Sequence, residues 1–116
     1  MTKPVGPYTP IMRAGDLLLS SGQIGIADGA IVDGGFEAQA RQALDNLQSL
    51  IEGEGASLDD VVKTVVFLTD MAEYATMNDI YLEYFSNTRP ARSAVAVAAL
   101  PLGALFEIEA TVYKPQ

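Results

Sequence analysis

Residues 89–113 read RPARSAVAVAALPLGALFEIEATVY, and their charge pattern decides how the chain is built. Arg92 opens a run of fourteen uncharged residues that ends at Glu107. Read with period two, Arg92, Ala94, Ala96 and Ala98 lie on one side of a strand, and Ser93, Val95 and Val97 lie on the other. Leu100-Pro101-Leu102-Gly103 is a turn signal. Beyond it Phe106, Ile108, Ala110 and Val112 form an apolar face, and Glu107, Glu109, Thr111 and Tyr113 form the opposite one. Pairing of these two strands predicts one arginine and two carboxylates on a shared face of otherwise small side chains. That is a shallow, dry cavity with a fixed cation and a base, suited to a small anion and to proton chemistry on it.

Working upstream, residues 61–69, VVKTVVFLT, are β-branched and apolar almost throughout, which predicts a central strand buried on both faces. Asp70-Met71-Ala72-Glu73 has capping-box spacing and opens a helix that runs to about Phe85, where Asn87, Arg89 and Pro90 end it. Tyr74, Met77, Tyr81, Tyr84 and Phe85 recur at helical spacing and are read as core rather than as a platform for stacking bases. Residues 36–52 form the clearest helix, with Phe36, Ala40, Ala43, Leu44, Leu47, Leu50 and Ile51 on one stripe and Gln39, Asp45, Gln48 and Glu52 largely outside it. Gly53 and Gly55 terminate it, and residues 57–60 form a single capped turn. Near the N-terminus, residues 11–14 and 17–21 form a hairpin around Gly15-Asp16. Gly22 and Gly25 either admit close approach of a ligand or another chain, or simply end a strand. Residues 26–35 are expected to be a loop, and Asp28 and Asp33 do not have calcium-loop spacing.

The resulting order, β-β-α-β-α-β-β, contains no internal repeat or linker and is read as one domain over residues 1–116. Two amphipathic helices cover one face of such a sheet. The other face, carrying small residues and a few charges, predicts burial in a closed oligomer.

Composition narrows the chemistry. The chain has 116 residues, 49% of them hydrophobic and 19% charged, as in an ordinary globular domain. It contains no cysteine and no histidine. Disulfides, thiolate nucleophiles, imidazole catalysis and the usual zinc or haem ligation are thereby excluded, and neither a metal nor a cofactor is expected. An acid–base step near neutral pH then falls to a carboxylate with a raised pKa or to a bound water. A net charge of −8 repels a phosphate backbone, so no nucleic-acid partner is expected. The first ten residues lack the apolar core of a signal peptide, and the longest uncharged run is too short to span a bilayer. The expectation is a cytoplasmic protein with no membrane partner.

Several short motifs occur in order along nearly the whole chain. They are Gly6-Pro7-Tyr8, Ser21-Gly22-Gln23-Ile24, residues 62–71 (VKTVVFLTDM), Asn78 with Tyr81, Pro90-Ala91-Arg92-Ser93, Leu100-Pro101 and Glu107-Ile108-Glu109-Ala110. Together they resemble the Rid family, the reactive intermediate deaminases. The resemblance implies a chorismate-mutase-like α+β fold and a barrel-like homotrimer with sites between subunits. It implies hydrolysis of 2-imino acids such as 2-iminopropionate and 2-iminobutyrate, and of their enamine tautomers, to 2-oxo acids and ammonia. On the same resemblance Arg92 binds the substrate carboxylate and Glu107 is associated with the hydrolytic water. Tyr8, Ser21 and Asn78 line or support the cleft, Gly22 belongs to its wall, and Ala94 offers backbone groups to the substrate. The chain departs from the family pattern at Gly25, where proline is common, at Thr9, where serine is frequent, and at Ala94, where many active members carry cysteine.

The residue types agree with that chemistry. A guanidinium grips a carboxylate with two parallel hydrogen bonds. A protonated imine is already electrophilic, so hydrolysis needs orientation, a held water and proton movement, but no covalent nucleophile. Three alternatives stay open at this level. Arg92 and Glu107 can instead form an intersubunit salt bridge, and Tyr8 can be a plain aromatic plug. The chain can also be a non-catalytic binding module for 2-oxo acids or related carboxylates. The ribonuclease label attached to the family is disfavoured by the charge and by the lack of histidine. Glu109, one period beyond Glu107, is assigned a structural or charge-tuning role.

Overall fold

A computed structural model describes residues 4–116. Gly15, at φ +60°, turns β1 (Ile11–Ala14) into β2 (Leu17–Ser20) with Ala14 opposite Leu17, as the Gly-Asp signal predicts. The next segment is more ordered than a loop. β3 (Gln23–Ile24) is followed by a small hairpin, β4 (Ile26–Ala27) and β5 (Ala30–Ile31), turning at Asp28 and Gly29, both in the left-handed region. Two-residue strands carry too short a pattern to be seen by period two, and the Asp-Gly pair was their only mark.

α1 (Gly35–Gly53) buries every residue of the expected stripe. It also buries Gln39 and Asn46, because both are occupied as polar staples rather than solvated. Gln39 accepts a hydrogen bond from the Leu105 backbone N–H at 2.8 Å. Asn46 donates to the carbonyls of Ile24 (3.1 Å) and Ile26 (2.9 Å). Gly55, at φ +82°, closes the helix, and the Ser57–Asp60 capping box forms the short turn before the next strand. β6 (Val61–Leu68) leads through the Asp70-capped turn into α2 (Tyr74–Tyr84), then to β7 (Ala91–Ala96) and β8 (Phe106–Tyr113).

The sheet order is β1-β2-β8-β6-β7, with β3 added to β8 beyond the end of β2. β7 runs parallel to β6, as a crossover through a helix requires, and the other pairs are antiparallel. This corrects the expectation that residues 92–98 and 106–113 pair with each other. β6 lies between them, and β7 forms one edge of the sheet.

Both helices pack on one face of this mixed sheet, giving a small α+β fold. Leu18, Val66, Leu68, Phe106, Ile108 and Val112 point into that layer and are fully buried against α1 and α2. Each such side chain contributes roughly 1.5–3 kcal/mol on burial. The opposite face is bare in a single chain, and Met12, Leu19, Val95 and Tyr113 are exposed on it. From Thr64 to Leu68, β6 therefore alternates buried and half-exposed residues instead of being covered on both sides. Among the described residues, no helix is long and apolar enough to cross a membrane.

Candidate active site

Arg92 sits on the edge strand β7, level with Thr64 on β6 and Ala110 on β8, so its side chain leaves the sheet toward α2. There the guanidinium carbon lies 4.8 Å above the centre of the Tyr81 ring and 5.6 Å from that of Tyr74. Nη2 donates to the Tyr74 hydroxyl at 3.0 Å, and Nη1 points at the Met77 sulfur at 3.7 Å. The Tyr81 hydroxyl is itself engaged with Thr64 Oγ1 at 2.7 Å inside the core. Burial raises the Tyr81 pKa against the opposing pull of Thr64 and Arg92, so the ring stays a neutral shelf. Among the described residues Arg92 has no carboxylate within ion-pair distance. A cation stacked on aromatic rings and lacking a counter-ion is a seat for an anion.

Two further expected residues belong to this cluster. Asn78 lies between Tyr74 and Tyr81 on α2, four residues after one and three before the other, hence on their face. Its Oδ1 is buried and has no hydrogen-bond partner among the described residues, an acceptor that a donor on a ligand or another chain would satisfy. Ala94 follows Arg92 on the same side of β7 and packs against the core.

Glu107 lies elsewhere. It is level with Phe67 on β6, which is level with Val95 on β7, and so projects from the open face. It lines a cleft of about 340 Å³ together with Tyr8, Ser21, Gly22, Ile24 and Pro101. Burial, and after it the charge of Glu109, raise the Glu107 pKa above the ordinary carboxylate value. Its side chain makes no ion pair among the described residues. The carboxylate rests on the Gly22 backbone so closely that a Cβ at residue 22 would overlap it. Ser21 is fixed by its Oγ donating to the Thr9 carbonyl at 2.7 Å and its N–H donating to that of Pro10 at 2.8 Å. Tyr8 caps the N-terminal turn, its hydroxyl accepting from the Val5 N–H at 3.2 Å.

The expected residues thus form two groups, Arg92, Asn78 and Ala94 under α2 and Glu107, Tyr8, Ser21 and Gly22 on the open face. The expectation that Arg92 and the two glutamates share a face is corrected. Alternation along each strand is as read, but the phase between strands is set by β6, which puts Arg92 in the row of Thr64 and Glu107 in the row of Phe67. Sequence reasoning treated Tyr74 as core, whereas it is 40% exposed and bonded to Arg92. Its position four residues before Asn78 and seven before Tyr81 was the signal that linked it to this face. Gly25 has a packing reason. A Cβ there would meet the Gln39 backbone of α1 at 2.5 Å, so the wall of the Glu107 cleft lies against that helix. Among the described residues, no group of three or more acidic side chains converges as metal ligands would.

The family model described as endoribonuclease L-PSP matches residues 1–114. A RutC family protein of Pyrococcus horikoshii is 47% identical over 114 residues, covering 97% of this chain and 90% of that protein. The 2-iminobutanoate/2-iminopropanoate deaminase of mouse is 43% identical over 108 residues, covering 91% of this chain and 80% of the mouse protein. The crystal structure of RidA from an Antarctic Psychrobacter superposes with a TM-score of 0.92 at 40% identity, covering 96% and 91% of the two chains. The chain belongs to the endoribonuclease L-PSP family, which includes RidA.

Proposed function

We propose that this member of the endoribonuclease L-PSP family hydrolyses 2-imino acids to 2-oxo acids and ammonia. The observation that carries the reading is the Arg92 guanidinium, stacked on Tyr81 and lacking a carboxylate partner among the described residues. Its free donors match a substrate carboxylate in two-pronged geometry. The 43% identity to a mouse protein named for 2-iminobutanoate and 2-iminopropanoate supports the choice of acid.

The chemistry needs one water. Glu107, as carboxylate, takes a proton from a water that adds to the carbon of the protonated imine. The product is a tetrahedral carbinolamine. The same group returns the proton to nitrogen, the C–N bond breaks, and the remaining hydroxyl gives its proton to the departing ammonia, leaving the 2-oxo acid and ammonium with Glu107 again a carboxylate. A carboxyl whose pKa lies above its ordinary value suits both halves of this cycle better than a plain surface glutamate. The Asn78 carbonyl oxygen, buried and unpartnered among the described residues, is a fitting acceptor for the iminium N–H.

Because Arg92 and Glu107 leave opposite faces of one sheet, the proposed site is completed by a second copy of the chain. The exposed apolar side chains of the open face supply a contact surface for it. A closed homotrimer is the expected assembly, and light scattering after size exclusion should give about 37 kDa, three times 12.3 kDa.

The deciding experiment generates 2-iminobutanoate and 2-iminopropanoate with an amino-acid oxidase and follows imine decay with and without the protein. Faster decay supports the reading. Binding of a 2-oxo acid with no change in decay would replace it with a non-catalytic carboxylate-binding module.

A further inference from the structure

We infer that Tyr74 is a positioning residue that orients the Arg92 guanidinium before any substrate arrives. The inference rests on the proposed role of Arg92 as carboxylate anchor and adds a residue to it. An arginine has five N–H donors in a fixed plane. One Nη2 donor goes to the Tyr74 hydroxyl at 3.0 Å, and one Nη1 donor faces the Met77 sulfur at 3.7 Å. The Tyr81 ring lies beneath the plane at 4.8 Å and fixes its tilt. Stacking alone offers no directional acceptor, so neither sliding over the ring face nor exchange of the two Nη groups by rotation about Cζ–Nε breaks a hydrogen bond. A hydrogen bond at one corner restrains both. The three donors left over, one on each nitrogen, then keep fixed directions in the guanidinium plane.

Tyr81 cannot take over this task, because its hydroxyl is committed to Thr64 at 2.7 Å. Tyr74 also contributes little as a packing residue, being 40% exposed at the first turn of α2. An aromatic side chain there without a hydroxyl would keep the ring contact and lose the corner bond. The long arginine side chain would then be ordered by the ligand, at a cost in affinity, instead of by the fold.

Tyr74→Phe in the full-length protein tests this with two measurements. The first is affinity for 2-oxobutanoate, with kcat/KM for 2-iminobutanoate generated in place. Loss of one oriented hydrogen bond should weaken both about three- to tenfold. The second needs no ligand. In ¹⁵N-arginine-labelled protein, with the Arg92 signals assigned by Arg92→Lys, hindered rotation about Cζ–Nε should keep the Nη signals distinct in the wild type. In Tyr74→Phe they should move toward averaging. A structural role for Tyr74 would alter melting but not the guanidinium rotation. If the wild type binds and turns over, and Tyr74→Phe matches it in affinity and in Nη signals, this inference is overturned while the imine reading stands. If the wild type neither binds 2-oxobutanoate nor hastens imine decay, the anchor role of Arg92 fails and Tyr74 falls with it.

Discussion

The covered and the open face of the sheet are made from alternate residues of the same strands, and they divide the candidate chemistry between them. On the covered face, Thr64 and Tyr81 form a buried shelf that holds the half-exposed guanidinium of Arg92. On the open face, Glu107 lies half-buried in a cleft with Tyr8 and Ser21 and holds a carboxyl with a raised pKa. A sheet is one backbone thick, and side chains leaving its two faces point in opposite directions. One copy of the chain cannot bring Arg92 and Glu107 to the same small molecule. The division that looks like a failure of the site within one chain is what makes a second copy part of the proposed chemistry.

The sharpest way to break this comparison is at Arg92. Arg92→Ala removes two charge-assisted hydrogen bonds to the substrate, so kcat/KM should fall by about 10²–10⁴, with the assembly unchanged by light scattering. Collapse to monomers would instead reveal Arg92 as an intersubunit salt-bridge partner. Mixing sharpens the point. In trimers assembled at random from equal amounts of Arg92→Ala and Glu107→Gln chains, about one quarter of the sites between copies would pair an intact Arg92 with an intact Glu107. Activity rising toward a quarter of wild type after mixing supports a shared site. No rise would place both residues in separate functions.

At Glu107 the expected loss is smaller. Glu107→Gln should slow turnover by roughly 10²–10³, the scale of removing one positioned proton-transfer group, with little change in 2-oxo acid binding. Stability should move the other way. Burial and the neighbouring Glu109 charge raise the Glu107 pKa, so folding favours the protonated form. The stability tied to this group is complete below the ordinary carboxylate range and is lost as pH rises through the raised value. Glu107→Gln abolishes that loss. Its melting temperature should exceed the wild type's at pH 7 and converge with it below about pH 4.

How much of this was legible in the sequence follows from how local each signal is. The stripe of α1, the hairpin at Gly15 and the alternation of β8 depend on neighbours a few residues away and emerge as read. The separation of Arg92 from Glu107 depends on which strand lies between them. Period two says nothing about strand order, and β6 was read as covered on both sides because its apolar half-exposed residues Val65 and Phe67 await a partner rather than a helix. The two-residue link at Gly22, between β2 and β3, shows the same limit. Its glycine was ambiguous until the carboxylate resting on it was seen.

Gly22 offers the next test of the open face. A methyl group there would displace the Glu107 carboxylate from the Gly22 backbone without touching the covered face. Gly22→Ala should therefore reduce turnover about tenfold, less than the roughly 10²-fold that a full ångström of misplacement can cost. The ¹⁵N signals of Arg92 should be unchanged. An effect on Arg92 as large as that on turnover would mean that the two faces are coupled through the sheet and not merely joined by assembly.

The smallest expected effect lies between the two glutamates. Glu109 is one period along β8 from Glu107, about 6–7 Å by the usual rise, too far to hold the same water. Its reach is electrostatic. It is the lesser of two causes that raise the Glu107 pKa, burial being the greater. Glu109→Gln leaves the burial in place and removes a like charge, so ionisation of Glu107 becomes easier and its pKa falls part of the way back. The acid limb of the pH–rate profile, where Glu107 must lose its proton to activate water, should shift to lower pH. Turnover at neutral pH should change by less than about tenfold, because Glu107 still carries the step. A shift to higher pH would contradict the like-charge argument. A loss larger than that of Glu107→Gln, in a protein that still assembles, would reverse the roles of the two carboxylates and move the reactive end of the open face one step along β8.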